Sequence, residues 1–529
     1  MTHTLAGSVR ARPARSPWAV LSVLCLGLFM ILLDGTIVNV AIPKIMAGLN
    51  TGLAGVEWVM NGYVLMFAVT LVTLGRLGDL YGRRLLFVAG MALFTLSSLA
   101  CGLAPSIELL VAFRVVQGLG GAAMMPSTLS IVAAVFPADK RGAAMGIWGG
   151  VSGLATAIGP SLGGLVVDAA SWRWIFLINL PIGVVSIALA LRIVPESRNP
   201  TAVSSLDLPG VGLISSAMFC LTFALVEGQK YGWTSATILS LLAGCGLLFA
   251  AFYLRERRER QPLIDFSLFR RRNFLAGNVT GLILSFGMMG VFFTVPIFLQ
   301  TVLGYSAMKA GAVMSPMSVA VMFSAPFAGR LSDKVGSRWL ICAGLLLMAF
   351  GIAWMAGLTP IQAGLTPSTR ALSLILPFVV SGLGIGLAVA PTTSAVMATA
   401  PLDRIGNASG VLSTMRQLGS VMGIAVLGAV LQNRLTHNVV AGVQALPGVP
   451  ASVKAVIVKT VSEGGSQMNA PAGSVGRGMM QSFLHLFRQW FTSAINTTFI
   501  VGMAVCVVGA LAAVFVKSHV EAPAEEGRN

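Results

Sequence analysis

Asp34 is the side chain best placed to do chemistry, because it is the only ionisable group in an apolar run from Trp18 to Ile42. At about 1.5 Å of rise per residue that run is long enough to cross a bilayer, and Asp34 falls somewhat past its middle. A charge is expensive there and is kept where it has a task. Three chemistries fit: Asp34 can bind and release a proton, hold a cationic substrate, or remain a polar group satisfied by a neighbouring helix. Removing water disfavours a carboxylate's charge and a nearby cation favours it, so a single buried site can exchange one for the other. Val38 lies a helical turn from Asp34 and Asn39 sits near the same face, which would give one polar stripe.

Two arginines also fall inside apolar segments. Arg114 either has a task within the membrane or satisfies buried carbonyls, and the sequence assigns Arg416 no role. A third group of candidates is the string GRLGDLYGRR at 75–84, where Gly75 and Gly82 permit a tight connection between two helices. Its charges, Asp79, Arg83 and Arg84, can pair with other helix ends such as Asp139; a solvated basic turn is the plainer alternative. Further on, Gly159, Gly163 and Gly164 allow close backbone approach, and Pro160 removes a helical hydrogen bond and should bend its helix. Candidates to line a cavity are Asn39, Trp58, Asn61, Tyr63, Trp148, Phe286, Met289, Phe293, Gln300 and Arg416, since aromatic and methionine surfaces suit greasy cations; lipid-facing or packing positions are the alternative for each. Glu57 and Glu227 fall near a membrane boundary and read as solvated.

The elements that must position these residues are transmembrane helices. A chain of 529 residues with 56% hydrophobic and only 10% charged residues departs from soluble composition toward an all-α polytopic membrane protein. Apolar windows place fourteen spans near 18–42, 56–77, 85–104, 107–128, 142–168, 174–193, 208–228, 236–254, 275–299, 307–328, 339–358, 372–396, 406–431 and 494–516. The first is too long for a secretory signal and reads as a retained helix. Most lysines and arginines collect on one side, with Arg10, Arg12 and Arg15 before the first span and Arg270, Arg271 and Arg272 before the ninth, so both termini are expected in the cytoplasm. The net charge of +17 therefore reads as membrane topology, and nucleic acid is not an expected partner.

The string GRLSDKVGSR at 329–338, which contains Asp333, repeats most of 75–84, and PLDRIGNASG at 401–410 repeats PADKRGAAMG at 137–146. Two ordered matches at similar spacing argue for duplication. The plan is a six-helix half at 1–200, a two-helix insert at 201–260 and a second six-helix half at 261–529, with the substrate site between the halves. Asp34 has no carboxylate to match it in the ninth span, and Arg114 aligns with Phe378, so proton handling is expected in the first half alone. A long external segment spans about 432–493, and its stretch Met479 to Trp490 either lies in the membrane interface or packs on the neighbouring span. No metal site or enzyme chemistry is expected: the six cysteines lie in apolar segments without paired spacing, and the four histidines lie outside the spans. No nucleotide-binding loop of the GxxxxGK[ST] type occurs, so ATP is not the expected energy source and no cofactor is expected.

At these motifs the chain resembles the major facilitator superfamily, and within it the fourteen-helix drug:proton antiporter branch of the EmrB/QacA type. The resemblance runs through the Asp34 segment, GRLGDLYGRR, RVVQGLGGA at 114–122, GPSLGG at 159–164, WRWIFLINLPIG at 172–183 and RQLGS at 416–420; Leu80 departs from it where the family's loop often carries a basic residue. It implies a major facilitator fold in a bacterial inner membrane, with Arg114 in proton transfer, the 75–84 loop and Asp333 in a conformational latch, and the Gly159 to Gly164 motif in antiport. The implied activity is export of amphipathic, cationic drugs in exchange for protons, with any periplasmic adaptor left open. A proton-coupled transporter of a defined metabolite, siderophore or lipid is the alternative, and a non-transporting membrane protein a more distant one.

Overall fold

Apolar segments with no water to serve their backbone close their hydrogen bonds within helices, and every regular element among the described residues is helical. The computed structural model describes residues 16–51, 53–197, 207–259, 262–362, 367–400, 405–445, 454 and 477–517. The helices are α1 (Pro17–Gly48), α2 (Leu53–Tyr81), α3 (Arg83–Leu103), α4 (Ile107–Val135), α5 (Ala138–Ala169), α6 (Trp174–Leu177), α7 (Asn179–Ile193), α8 (Leu208–Tyr231), α9 (Ala236–Glu256), α10 (Arg272–Ile297), α11 (Ala307–Val335), α12 (Ser337–Gln362), α13 (Pro367–Met397), α14 (Ile405–Ala445) and α15 (Arg477–Ala513). Among the described residues, 13 spans are long and apolar enough to cross a membrane. The 32-residue α5 lies in the same bundle, packed on α1 and α11. The chain is an integral, multi-pass membrane protein.

Buried side chains of α1 to α4 and of α7 form one apolar core, which also takes in residues of α8, α10, α13 and α14. A second core, with Met317, Leu345, Met348 and Phe378, joins helices α10 to α15. The two helix groups meet where α5 packs on α11 and α2 on α14. The seam is tightest at the end of the bundle that carries the Gly82 turn. There a Cβ on Gly146 would stand 2.6 Å from the Cα of Pro326, and the hydroxyls of Ser130 and Ser409 are 2.6 Å apart. Helices α8 and α9 form a hairpin whose α8 rests on α2 and α14, while α9 is only 17% buried and faces outward.

The described parts of the segment expected at 432–493 are helical. Hydropathy falls near 432, but α14 continues to Ala445 and α15 already begins at Arg477. The reason is a shared apolar seam: Leu435, Val439 and Val443 on α14 meet Phe487 and Phe491 on α15. Asn438 adds a hydrogen bond from its Nδ2 to the Trp490 carbonyl at 3.2 Å. The described part of the Met479 to Trp490 stretch therefore packs on its neighbour helix. Residues 446–453 and 455–476 lie outside the described set.

Candidate functional site

Asp34 is completely buried, and its side chain enters the space between α1, α3, α4 and α7. Arg114 reaches it from α4, with Nη1 donating to Oδ2. The other carboxylate oxygen, Oδ1, accepts from Gln117 Nε2 at 3.0 Å and from Asn179 Nδ2 at 3.2 Å. The guanidinium is satisfied in turn: Nε donates to the Val59 carbonyl at 3.1 Å and Nη1 to Gln117 Oε1 at 2.8 Å. Ser98 closes the network from α3 by accepting from both amides and donating to the Phe176 carbonyl at 2.9 Å. A buried charge pair is tolerated only when its remaining donors and acceptors are served, and here four helices serve them.

Gln117, Asn179 and Ser98 are the residues that sequence reasoning missed. Gln117 follows Arg114 by three residues on the same helix face, and Asn179 stands inside the WRWIFLINLPIG string. The available signal was the spacing of Gln117 from Arg114; without the fold, nothing told these amides from other neutral polar residues.

Beside the pair, and separate from it, lies a central cavity of about 250 Å³ between the two helix groups. Tyr63 belongs to both regions: its ring lies 4.2 Å from the Arg114 guanidinium and also lines the cavity. From the other group, Met289 of α10 and Arg416 of α14 reach the cavity, while Trp148 of α5 lines it opposite them. The indole N–H of Trp148 donates to Thr128 Oγ1 at 3.2 Å, which satisfies its one polar atom.

Five expected cavity residues lie elsewhere, because helix phase turns them away. Trp58 packs on Phe223 of α8, with ring centroids 6.0 Å apart. Asn61, on the same face three residues on, donates to Glu227 Oε1 at 3.3 Å. Phe286 and Phe293 fall outside the α10 face formed by Ser285, Met288, Met289 and Phe292, and Gln300 is exposed in the π-helical turn Phe298–Val302. Glu227, expected to be solvated, is buried and lies 3.7 Å from Lys230. The side chains of Asn39, Glu57, Asp139 and Pro160 lie outside the described residues.

Close helix approach surrounds the pair. A Cβ on Gly163 would meet Ile37 Cγ1 at 2.8 Å, and Gly159 faces Thr36, so α5 lies directly on the α1 segment that carries Asp34. Gly164 is buried nearby, and α5 continues through residue 160 as an unbroken helix.

The 75–84 string ends α2 and opens α3. Gly82 takes φ of 121°, a conformation open mainly to glycine, and a Cβ there would meet Glu196 Oε1 at 2.7 Å. Asp79 pairs with Arg83 inside the string at 2.9 Å and also faces the Asn407 backbone in the first turn of α14. Gly75 lies against Gly410 of the same helix. Arg83 turns to the segment after α7, donating to Ser197 Oγ at 3.3 Å, and Arg84 to the last turn of α7, donating to the Leu191 carbonyl at 2.9 Å. Asp333 accepts from the Gly142 backbone N–H at 3.2 Å, which ties α11 to α5.

The comparisons with known proteins agree with this arrangement. A family profile described as Major Facilitator Superfamily matches residues 24–424. The tetracenomycin C resistance and export protein of Streptomyces glaucescens is 35% identical over 98% of this chain and 94% of its own length. A probable actinorhodin transporter of Streptomyces coelicolor is 37% identical over 82% of this chain and 75% of its own. Among solved structures, a proton:xylose symporter shares the fold with a TM-score of 0.60 at 13% identity, covering 94% of both chains. With two helix groups clasped around a central cavity and a profile match over most of its length, the chain belongs to the major facilitator superfamily of transporters.

Proposed function

We propose that this protein exports amphipathic aromatic compounds across the bacterial cytoplasmic membrane in exchange for protons. The observation that carries the reading is the division of labour beside the cavity. A charge pair that can take up a proton, Asp34 with Arg114, lies sealed behind Tyr63, and an apolar chamber faces the other side of that same ring. Protonating Asp34 would remove the charge that Arg114 balances and loosen α1 from α4 and α7, three helices that the network ties together. The halves at 1–200 and 261–529, with the 201–260 insert at their edge, would then rock about the cavity. Both termini and the Gly82 turn face the cytoplasm in this reading, as the lysine and arginine bias indicates. In this reading the seam between α5 and α11 at that end closes the cytoplasmic side.

The likeness to a tetracenomycin C resistance and export protein and to a probable actinorhodin transporter supports export of compounds of that kind. The cationic cargo that the sequence suggests has no counter-charge here, since no acidic side chain lines the cavity among the described residues. Asp34→Asn keeps the shape of the pair and removes its proton site. In proteoliposomes with an imposed pH gradient, this variant is expected to fold normally and lose proton-driven efflux. Undiminished efflux would refute the coupling role.

A further inference from the structure

Among the described residues, Arg416 is the cavity's one side chain with a permanent charge, and no described acidic side chain pairs with it. Its Nη2 donates to the Val389 carbonyl at 3.2 Å and to Thr393 Oγ1 at 2.6 Å, both on α13. Those two bonds fix the plane of the guanidinium. Its Nε and Nη1 groups make no hydrogen bond to any described residue, and the acidic residue nearest in function, Asp34, is already taken by Arg114, Gln117 and Asn179. A guanidinium left this way inside a bundle is costly. The cost falls if an anion arrives with the cargo, and arginine's planar fork suits a carboxylate or an ionised phenol better than a lysine would.

Two neighbours complete a site. Arg416 stands 5.6 Å from the centroid of the Trp148 ring, which lines the same cavity beside the charge. Ser413, one turn before Arg416 on α14, lines the same cavity, is 3% exposed, and carries a hydroxyl with no partner among the described residues. From this geometry we infer that the cavity selects aromatic compounds bearing an anionic group, which Arg416 binds with Ser413 beside it and Trp148 against the ring system. The inference rests on the export reading for its biological sense, but it reverses the sign of the cargo expected from the sequence.

The test uses the full chain in lipid nanodiscs with three matched probes: anthracenecarboxylate, its methyl ester and the anthracenemethylammonium ion. Equilibrium binding without any gradient should favour the carboxylate over the ester by about tenfold or more, the usual effect of a hydrogen bond to a charged group, with the ammonium ion weakest. R416Q should bring the carboxylate down to the ester's affinity while leaving the ester unchanged, and R416K should keep part of the preference. Equal binding of acid and ester by the unaltered protein overturns the inference, and so does a preference that survives R416Q. The export reading is measured separately, by flux of the carboxylate from proteoliposomes under a pH gradient. Selective binding without flux removes the exporter and leaves the anion site standing.

Discussion

Arg114 and Arg416 lie on helices of the same bundle, yet their surroundings differ in kind. Arg114 has a carboxylate, a carbonyl and an amide as acceptors and two aromatic rings against it, at 4.2 and 5.8 Å. Arg416 has one carbonyl and one hydroxyl, both on a single nitrogen, and an open cavity in front of it. The difference teaches how to read a buried charge in a transporter. On the proposed function the fully paired one would respond to a proton and the half-paired one to cargo. Tyr63 lies between the Arg114 pair and the cavity.

The sharpest way to break this contrast is to remove each guanidinium in turn. Arg114→Ala strands Asp34 in a sealed site and should cost about 3 to 5 kcal/mol, the range for an orphaned buried charge. Arg416→Ala loses only two hydrogen bonds beside a cavity and should cost about 1 kcal/mol. Denaturation of the purified variants in detergent measures both, and equal losses would erase the distinction. Combining Asp34→Asn with Arg114→Gln removes both charges together. The double variant should recover much of the stability that Arg114→Ala lacks, because neutral amides can share the sites of Gln117 and Asn179, and it should still fail to couple transport to protons.

A weaker lever acts on the seam rather than on the charges. Gly142 and Gly329 touch backbone to backbone between α5 and α11. Alanine at either position should destabilise the closed arrangement by about 1 to 3 kcal/mol, as overpacking generally does. Spin labels placed on the ends of these two helices should report a wider distance distribution, while the Asp34 network, which has no member on α5 or α11, keeps its stability. A seam that stays closed would show that Asp333 on the Gly142 N–H, rather than glycine contact, holds it.

Much of this was legible in the sequence, for physical reasons that also mark where legibility stops. The spans declare themselves because the bilayer demands long apolar helices, and Asp34 and Arg114 because charge is costly within them. Their pairing follows from neither fact, since Gln117, Asn179 and Ser98 cost little wherever they lie. Residue type places Trp58 and Asn61 at the cavity, but the face they share is turned toward α8, and helix rotation is set by neighbours that the sequence does not place. The end of α14 was misjudged because hydropathy reports contact with lipid. Leu435, Val439 and Val443 make a stripe that another helix covers, and such a helix can continue beyond the lipid.

The smallest expected effect lies at the insert, far from both arginines, and it checks that the larger ones are local. Asp207, just before α8, accepts from Arg255 Nη2 at 2.6 Å and from its Nε at 2.9 Å, and these bonds hold its carboxyl below the usual carboxylate range. A group whose folded pKa is depressed contributes stability above its unfolded pKa and loses it as pH falls through the folded value. The hairpin of α8 and α9 should therefore loosen on acidification below the ordinary aspartate range, and Asp207→Asn should remove that pH dependence while leaving the neutral-pH fold in place. Hydrogen exchange at α9, compared at neutral and acid pH, measures it. Because Arg255 is 40% exposed, solvent screens the pair and the shift should be slight. If Asp207→Asn instead matched Arg114→Ala in its damage, burial and pairing would not be what separates a switch from a strut in this protein.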